Sequence, residues 1–179
     1  NKSMIRRWIF LFVLVILGLV IYYNPNFKTI AAGVSILLFG MVTLEQGFKV
    51  FAKGPLRRIL KKATEKLFKS ISVGALVTAI IQSSSLVSVI TISFISAGLI
   101  SLSGGIGLIY GANIGTTFTA WLVAGFGLKV NISVLAMPML IFGILFSFQH
   151  NKSLKGLGNI LTGLGFFFLG IYYMKDGFD

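Results

Sequence analysis

Long apolar runs dominate this chain, and polar residues interrupt them at a few abrupt places. Residues 8–23 form an unbroken apolar run behind Arg6 and Arg7. No small-x-small cleavage site follows, and YYNPNF joins interfacial aromatics to a turn, so the run predicts a transmembrane helix over about 5–23 rather than a signal peptide. A second span is expected over 30–47. The segment KVFAKGPLRRILKKATEKLFKS then holds eight basic residues and one acidic one. Leu56, Ile59, Leu60, Ala63 and Leu67 fall at helical spacing within it, which predicts an amphipathic helix over 49–70 lying at the cytoplasmic interface. Residues 70–128 follow without a single charge.

That uncharged region has two polar knots. AIIQSSSLVSV places Gln82, Ser83, Ser84 and Ser85 in a row, flanked by apolar stretches at 71–81 and 86–100. Each stretch is shorter than the roughly 20 residues of a crossing. The two could make one long spanning helix or the limbs of a re-entrant hairpin. The polar tip favours the hairpin, because non-helical backbone at membrane depth must be buried in protein or line a cavity. GGIGLIYGANIGTTFTAWLVAGFG supplies the second knot, Asn113, Thr116 and Thr117, in a helix expected to break within 104–126. Gly107, Gly111 and Gly115 recur every four residues there, a spacing that lets another backbone approach closely. Two further spans are expected at 132–149 and 157–175, joined by the polar loop QHNKSLKG.

Composition agrees with an all-α integral membrane protein: 56% of the 179 residues are hydrophobic and 11% charged, and mean hydropathy is +0.94. The absence of Cys and the single histidine, His150, exclude a disulfide framework and His-cluster zinc chemistry. The net charge of +12 is a topology signal before it is a partner signal. Thirteen of the sixteen Lys and Arg lie in three groups: Lys2, Arg6 and Arg7; the eight of 49–69; and Lys152 with Lys155. The positive-inside rule puts all three groups in the cytoplasm if 71–100 is a hairpin. The basic segment is then an anchor on anionic lipid headgroups; nucleic-acid binding is excluded by the flanking spans and the lack of a base-stacking module.

LLFGMVTLEQGF at 37–48 and FFLGIYYMKDGF at 167–178 look alike at an offset of 130 residues, pairing Gly40 with Gly170 and Gly47 with Gly177. With a hairpin between them the two copies run in opposite directions. Inverted repeats with broken helices are the architecture of many secondary transporters.

GALVTAIIQSSSLVSVITI followed by GANIGTTFTAWLVA, together with LLFGMVTLEQG, resembles the type II sodium–phosphate cotransporter family and its bacterial relatives, over residues 32–179. The resemblance implies a multi-pass protein of the plasma membrane, in bacteria the inner membrane, carrying inorganic phosphate with sodium. It implies two serine hairpins in inverted repeats with the substrate between them. This chain has one, so it should hold half a site, completed by a second half from the same or another chain. Four spatial units are expected: two spans over 1–48, the basic helix over 49–70, the polar hairpin and broken helix over 71–126, and two spans over 127–179, the last opening a second repeat.

The knots offer only neutral ligands. Expected phosphate contacts are Gln82, Ser83, Ser84, Ser85, Asn113, Thr116 and Thr117; expected sodium ligands are Gln82, Ser85, Asn113 and Thr116. Free N–H groups at one half-helix start suit an oxyanion, and free carbonyls at a half-helix end suit sodium. No Lys or Arg in this stretch neutralises phosphate, so bound sodium would have to. No cofactor is expected beyond co-transported sodium. Other readings are a carrier of another small anion on this scaffold, and a non-transporting membrane scaffold acting through its basic helix. An enzyme is not expected, because the chain shows no nucleophile–base pair or acidic dyad.

Overall fold

The computed structural model describes residues 2–52, 54–127 and 132–178. These residues form α-helices and one short 3-10 turn. In chain order the helices are α1 (Lys2–Tyr23), α2 (Pro25–Ala52), α3 (Pro55–Lys62), α4 (Leu67–Ile81), α5 (Ser84–Ser96), α6 (Leu102–Thr116), α7 (Phe118–Gly127), α8 (Ile132–Ser147) and α9 (Lys152–Asp176). Four stretches among the described residues are long and apolar enough to cross a bilayer: Ser3–Tyr23, Pro25–Phe51, Leu102–Gly125 and Lys152–Asp176. The protein is an all-helical membrane protein.

Glycines set the packing. α2 and α9 run antiparallel along each other, with Gly33, Gly40 and Gly47 on one and Gly156, Gly163, Gly170 and Gly177 on the other. A Cβ on Gly33, Gly40 or Gly47 would lie within 2.7 Å of a backbone nitrogen of α9. Only hydrogen fits between backbones this close, which is how small residues drive helix association in lipid. These are the helices that carry the two copies of the repeated motif, and the copies do point in opposite directions. α8 packs antiparallel on the other side of α9, through Gly143 against Thr162 and Gly158 against Phe146 and Ser147.

The second packed unit is α3 to α6. Gly107 of α6 meets Ser70, Gly111 meets Ile71 and Ala75, and Gly115 meets Thr78, so α4 and α6 run in the same direction. The spacing at every fourth residue therefore has the close-packing role that the pattern predicts. α5 runs opposite to both, its Ile95 against Gly105 at the start of α6. α4 and α5 thus leave from and return to one end of the molecule. With 15 and 13 residues they extend about 22 and 20 Å at 1.5 Å per residue, short of a bilayer core of about 30 Å.

The basic segment is not one helix. α2 continues to Ala52, α3 is eight residues long, and a 3-10 turn over Ala63–Glu65 leads into α4. Leu56, Leu60 and Ala63 are buried in one core with Phe94, Ile100 and Leu108, whereas Ile59 and Leu67 are exposed. The apolar face therefore turns into protein instead of lipid, because the short ends of α4 to α6 need a cover. Lys152 and Lys155, at the start of α9, lie at the same end as Lys49, as charge counting requires.

α1 forms as expected but does not fold back. Asn24 caps α2, its side chain accepting from the Phe27 N–H at 3.0 Å, and Ser3–Tyr23 has no buried residue. The break expected within 104–126 is a one-residue interruption at Thr117 rather than a rupture. Thr117 keeps right-handed helical angles, and its N–H bonds the Ile114 carbonyl three residues back. Residues 128–131, at the expected boundary before α8, lie outside the described residues.

Candidate functional site

α4 ends because Gln82 leaves helical geometry. Its φ of 58° and ψ of 27° are left-handed, a region costly to a residue with a Cβ and not relieved here by glycine. Its N–H still closes the last turn on the Thr78 carbonyl at 2.7 Å. Ser83 then adopts extended angles and caps α5, its hydroxyl accepting from the Leu86 N–H at 3.3 Å. Two consecutive residues thereby reverse the chain, which four apolar residues could not do without stranding backbone groups.

The Gln82 side chain is held at both ends. Its amide nitrogen donates to the Ala79 carbonyl, and its Oε1 accepts from the Thr119 hydroxyl of α7. This second bond ties the hairpin tip to α7. A cavity of about 50 Å³ opens there, lined by Thr78, Gln82, Ser84, Thr116, Thr119 and Met41 of α2. The Thr78 hydroxyl is buried and has no partner. An unmet buried hydroxyl costs about 1–3 kcal/mol, so this cavity offers an oxygen that something bound there would satisfy.

α2 supplies a second contact with the tip one turn after Met41. Glu45 lies beside Ser83 and pairs with Lys49 at 2.7 Å. The polar stretch carries no charge of its own, but the fold brings a neutral ion pair to its edge. Ser85 is exposed, and its hydroxyl lies 3.3 Å from that of Ser83.

Of the residues expected from sequence, Gln82, Ser84 and Thr116 come together in the cavity, while Ser83 and Ser85 approach each other and do not line it. Asn113 is exposed and does not line it. Thr117 faces an apolar cavity with Leu76, Ile80 and Trp121 and bonds the Ile114 carbonyl. Thr78 and Thr119 were missed by sequence reading. The available signal was spacing: Thr78 stands one turn before Gln82, and Thr119 three residues after Thr116.

Residues 36–176 match the Na+/Pi-cotransporter family, with the tip, Thr117, the first copy of the glycine motif and the second copy as far as Asp176 inside the match. The chain belongs to this family. Among relatives, it is 34% identical over 134 residues to "Uncharacterized protein YqeW" of Bacillus subtilis, a match covering 75% of this chain and 42% of that one. It is 30% identical over 142 residues to "Putative inorganic phosphate export protein YjbB" of Escherichia coli K12, covering 78% and 25%. A 52-residue stretch is 48% identical to "Sodium-dependent phosphate transport protein 2A" of Oryctolagus cuniculus, covering 29% and 8%. The chain spans less than half the length of each of these family members. No solved structure matches it. Its family is named for the cotransport of sodium and phosphate.

Proposed function

We propose that the chain is half of a sodium-coupled carrier of inorganic phosphate in the plasma membrane, in bacteria the inner membrane, with α4–Gln82–Ser83–α5 as a re-entrant hairpin. The observation that carries this reading is the cavity at the tip. Its polar lining is all neutral oxygen ligands, among them a buried hydroxyl without a partner. The cavity, about 50 Å³, is lined by oxygens and by no positive charge that would hold an anion. Oxygen-rich neutral sites suit hard cations such as sodium.

Sodium is assigned to Thr78, Gln82, Ser84, Thr116 and Thr119. Phosphate is assigned to the open side of the tip, at the N–H groups that begin α5 and the hydroxyls of Ser84 and Ser85. Asn113, on the exposed face of α6, is left for the phosphate or for the second half. A dehydrated polyanion here needs positive charge that the hairpin lacks. Sodium supplies it, so each ligand raises the affinity of the other, with reciprocal couplings of about 1–3 kcal/mol typical. The antiparallel α2 and α9 fit an inverted repeat whose second unit begins with α9. A coupled carrier runs either way with its gradients. The export in the name of the Escherichia coli relative and the sodium dependence in that of the rabbit relative are thus compatible with one mechanism.

The test is phosphate flux into vesicles containing the chain together with its second half. Replacing sodium by choline should abolish flux, and replacing phosphate by sulfate or a carboxylate should give little. Flux indifferent to sodium would end the coupling assignment. Transport that survives alanine at Ser83, Ser84 and Ser85 would end the assignment of the tip.

A further inference from the structure

Two cavities away from the hairpin tip share one lysine. One, of about 570 Å³, is lined by Lys49 and Val50 of α2 and by Lys152, Lys155 and Asn159 of α9. The other, of about 610 Å³, is lined by Lys49, by Leu56 and Arg57 of α3, and by Leu86, Val89, Ile90 and Ser93 of α5. The four α5 residues recur at intervals of three and four, so they form one stripe along the helix, about 10 Å long at 1.5 Å per residue.

The chemistry of the first cavity is one-sided. Three lysines from two helices line it, and Asn159 adds an amide whose Oδ1 lies 3.2 Å from the Ser147 hydroxyl. Among the described residues no carboxylate pairs with Lys152, Lys155 or Arg57, and the one pairing with Lys49 is Glu45. Like charges gathered in a cavity repel unless an anion enters. The second cavity has the complementary character, an apolar stripe with Lys49 and Arg57 at its rim. A free phosphate would satisfy the first cavity and leave the second empty. A ligand with a phosphoryl head and a hydrocarbon tail matches both.

We propose that an anionic phospholipid occupies this pair of cavities, its headgroup phosphate among Lys49, Lys152, Lys155 and Asn159 and an acyl chain along Leu86, Val89 and Ile90 of α5. Basic pockets between membrane helices on the cytoplasmic side bind lipid headgroups in this way. The tail would lie on the limb that begins at the hairpin tip, so the lipid would brace α5 against α2 and α3. This inference concerns residues outside the sodium cavity and holds whatever the chain transports.

Native mass spectrometry of the chain from mixed phosphatidylglycerol and phosphatidylcholine tests it. Phosphatidylglycerol should be retained at least about ten-fold over phosphatidylcholine, and the triple substitution K49Q/K152Q/K155Q should erase that preference. V89W, which fills the apolar stripe and leaves every lysine in place, should lower phosphatidylglycerol retention independently. Millimolar inorganic phosphate should not displace the lipid. Equal retention of the two lipids overturns the proposal, as does wild-type retention in either variant. Displacement by inorganic phosphate assigns the lysine cavity to the free anion and overturns the lipid.

Discussion

The interface between α2 and α9 and the tip between α4 and α5 solve opposite problems with opposite residues. Along α2 and α9, glycines at every seventh position bring two backbones into contact, and nothing polar is needed. At the tip the backbone reverses through a left-handed Gln82, a buried threonine hydroxyl lacks a partner, and an open volume remains. Stability is concentrated where the repeat copies meet. At the hairpin end an unmet hydroxyl faces an open volume, as expected if the first is a frame and the second a working part, whereas the other unpartnered buried hydroxyl, Thr162 of α9, packs against Gly143 of α8.

The largest effect should come from filling the frame. Gly40→Leu puts a side chain where Phe167 and Gly163 backbone atoms lie, and should destabilise the bundle by about 3 kcal/mol or more. Gly18→Ala, at a glycine with nothing within 4 Å, should cost nothing. Thermal unfolding in detergent measures both, and equal losses would dissolve the contrast between packed and open helices.

At the tip the expected sign differs. Thr78→Val removes the unpartnered hydroxyl, so without sodium it should leave stability unchanged or raise it by about 1 kcal/mol. It should also remove the stabilisation that sodium gives the wild type, about 1.4 kcal/mol at ten times the dissociation constant. Unfolding scans with and without sodium separate the two effects; sodium stabilising this variant as much as the wild type would take Thr78 out of the site.

Gln82→Asn keeps the amide and suits left-handed backbone better, but shortens the reach to Thr119. Stability should change by less than about 0.5 kcal/mol while sodium-dependent protection of the hairpin against hydrogen exchange falls. A tip that tolerates this change with sodium protection intact would show that the bond to Thr119 is structural glue. Smallest of all, Glu45→Gln breaks a partly exposed pair with Lys49 and should cost about 0.5 kcal/mol in low salt, fading as salt rises. A much larger, salt-insensitive loss would move Glu45 from the edge of the tip into its working part.

How far the molecule is legible from its sequence follows from how local each feature is. Apolar runs and their polar interruptions mark nearly every helix, the reversal at Gln82 and the glycine faces, because each depends on residues within a turn or two of one another. The basic segment misleads for the same reason. Its period shows an apolar face, but period alone cannot say whether lipid or protein covers that face, and for Leu56 and Leu60 it is protein.

The site is where tertiary structure decides. Thr119 reaches Gln82 across 37 residues, and Lys49 shares a cavity with lysines of α9. Asn113 and Thr117, within a turn of Thr116, do not join it in the cavity. Sequence by itself determined which residues could offer oxygen or charge. Which of them meet was settled by the rotation of whole helices, fixed by glycine contacts along their length, since a helix turned by one residue, about 100°, presents a different side chain.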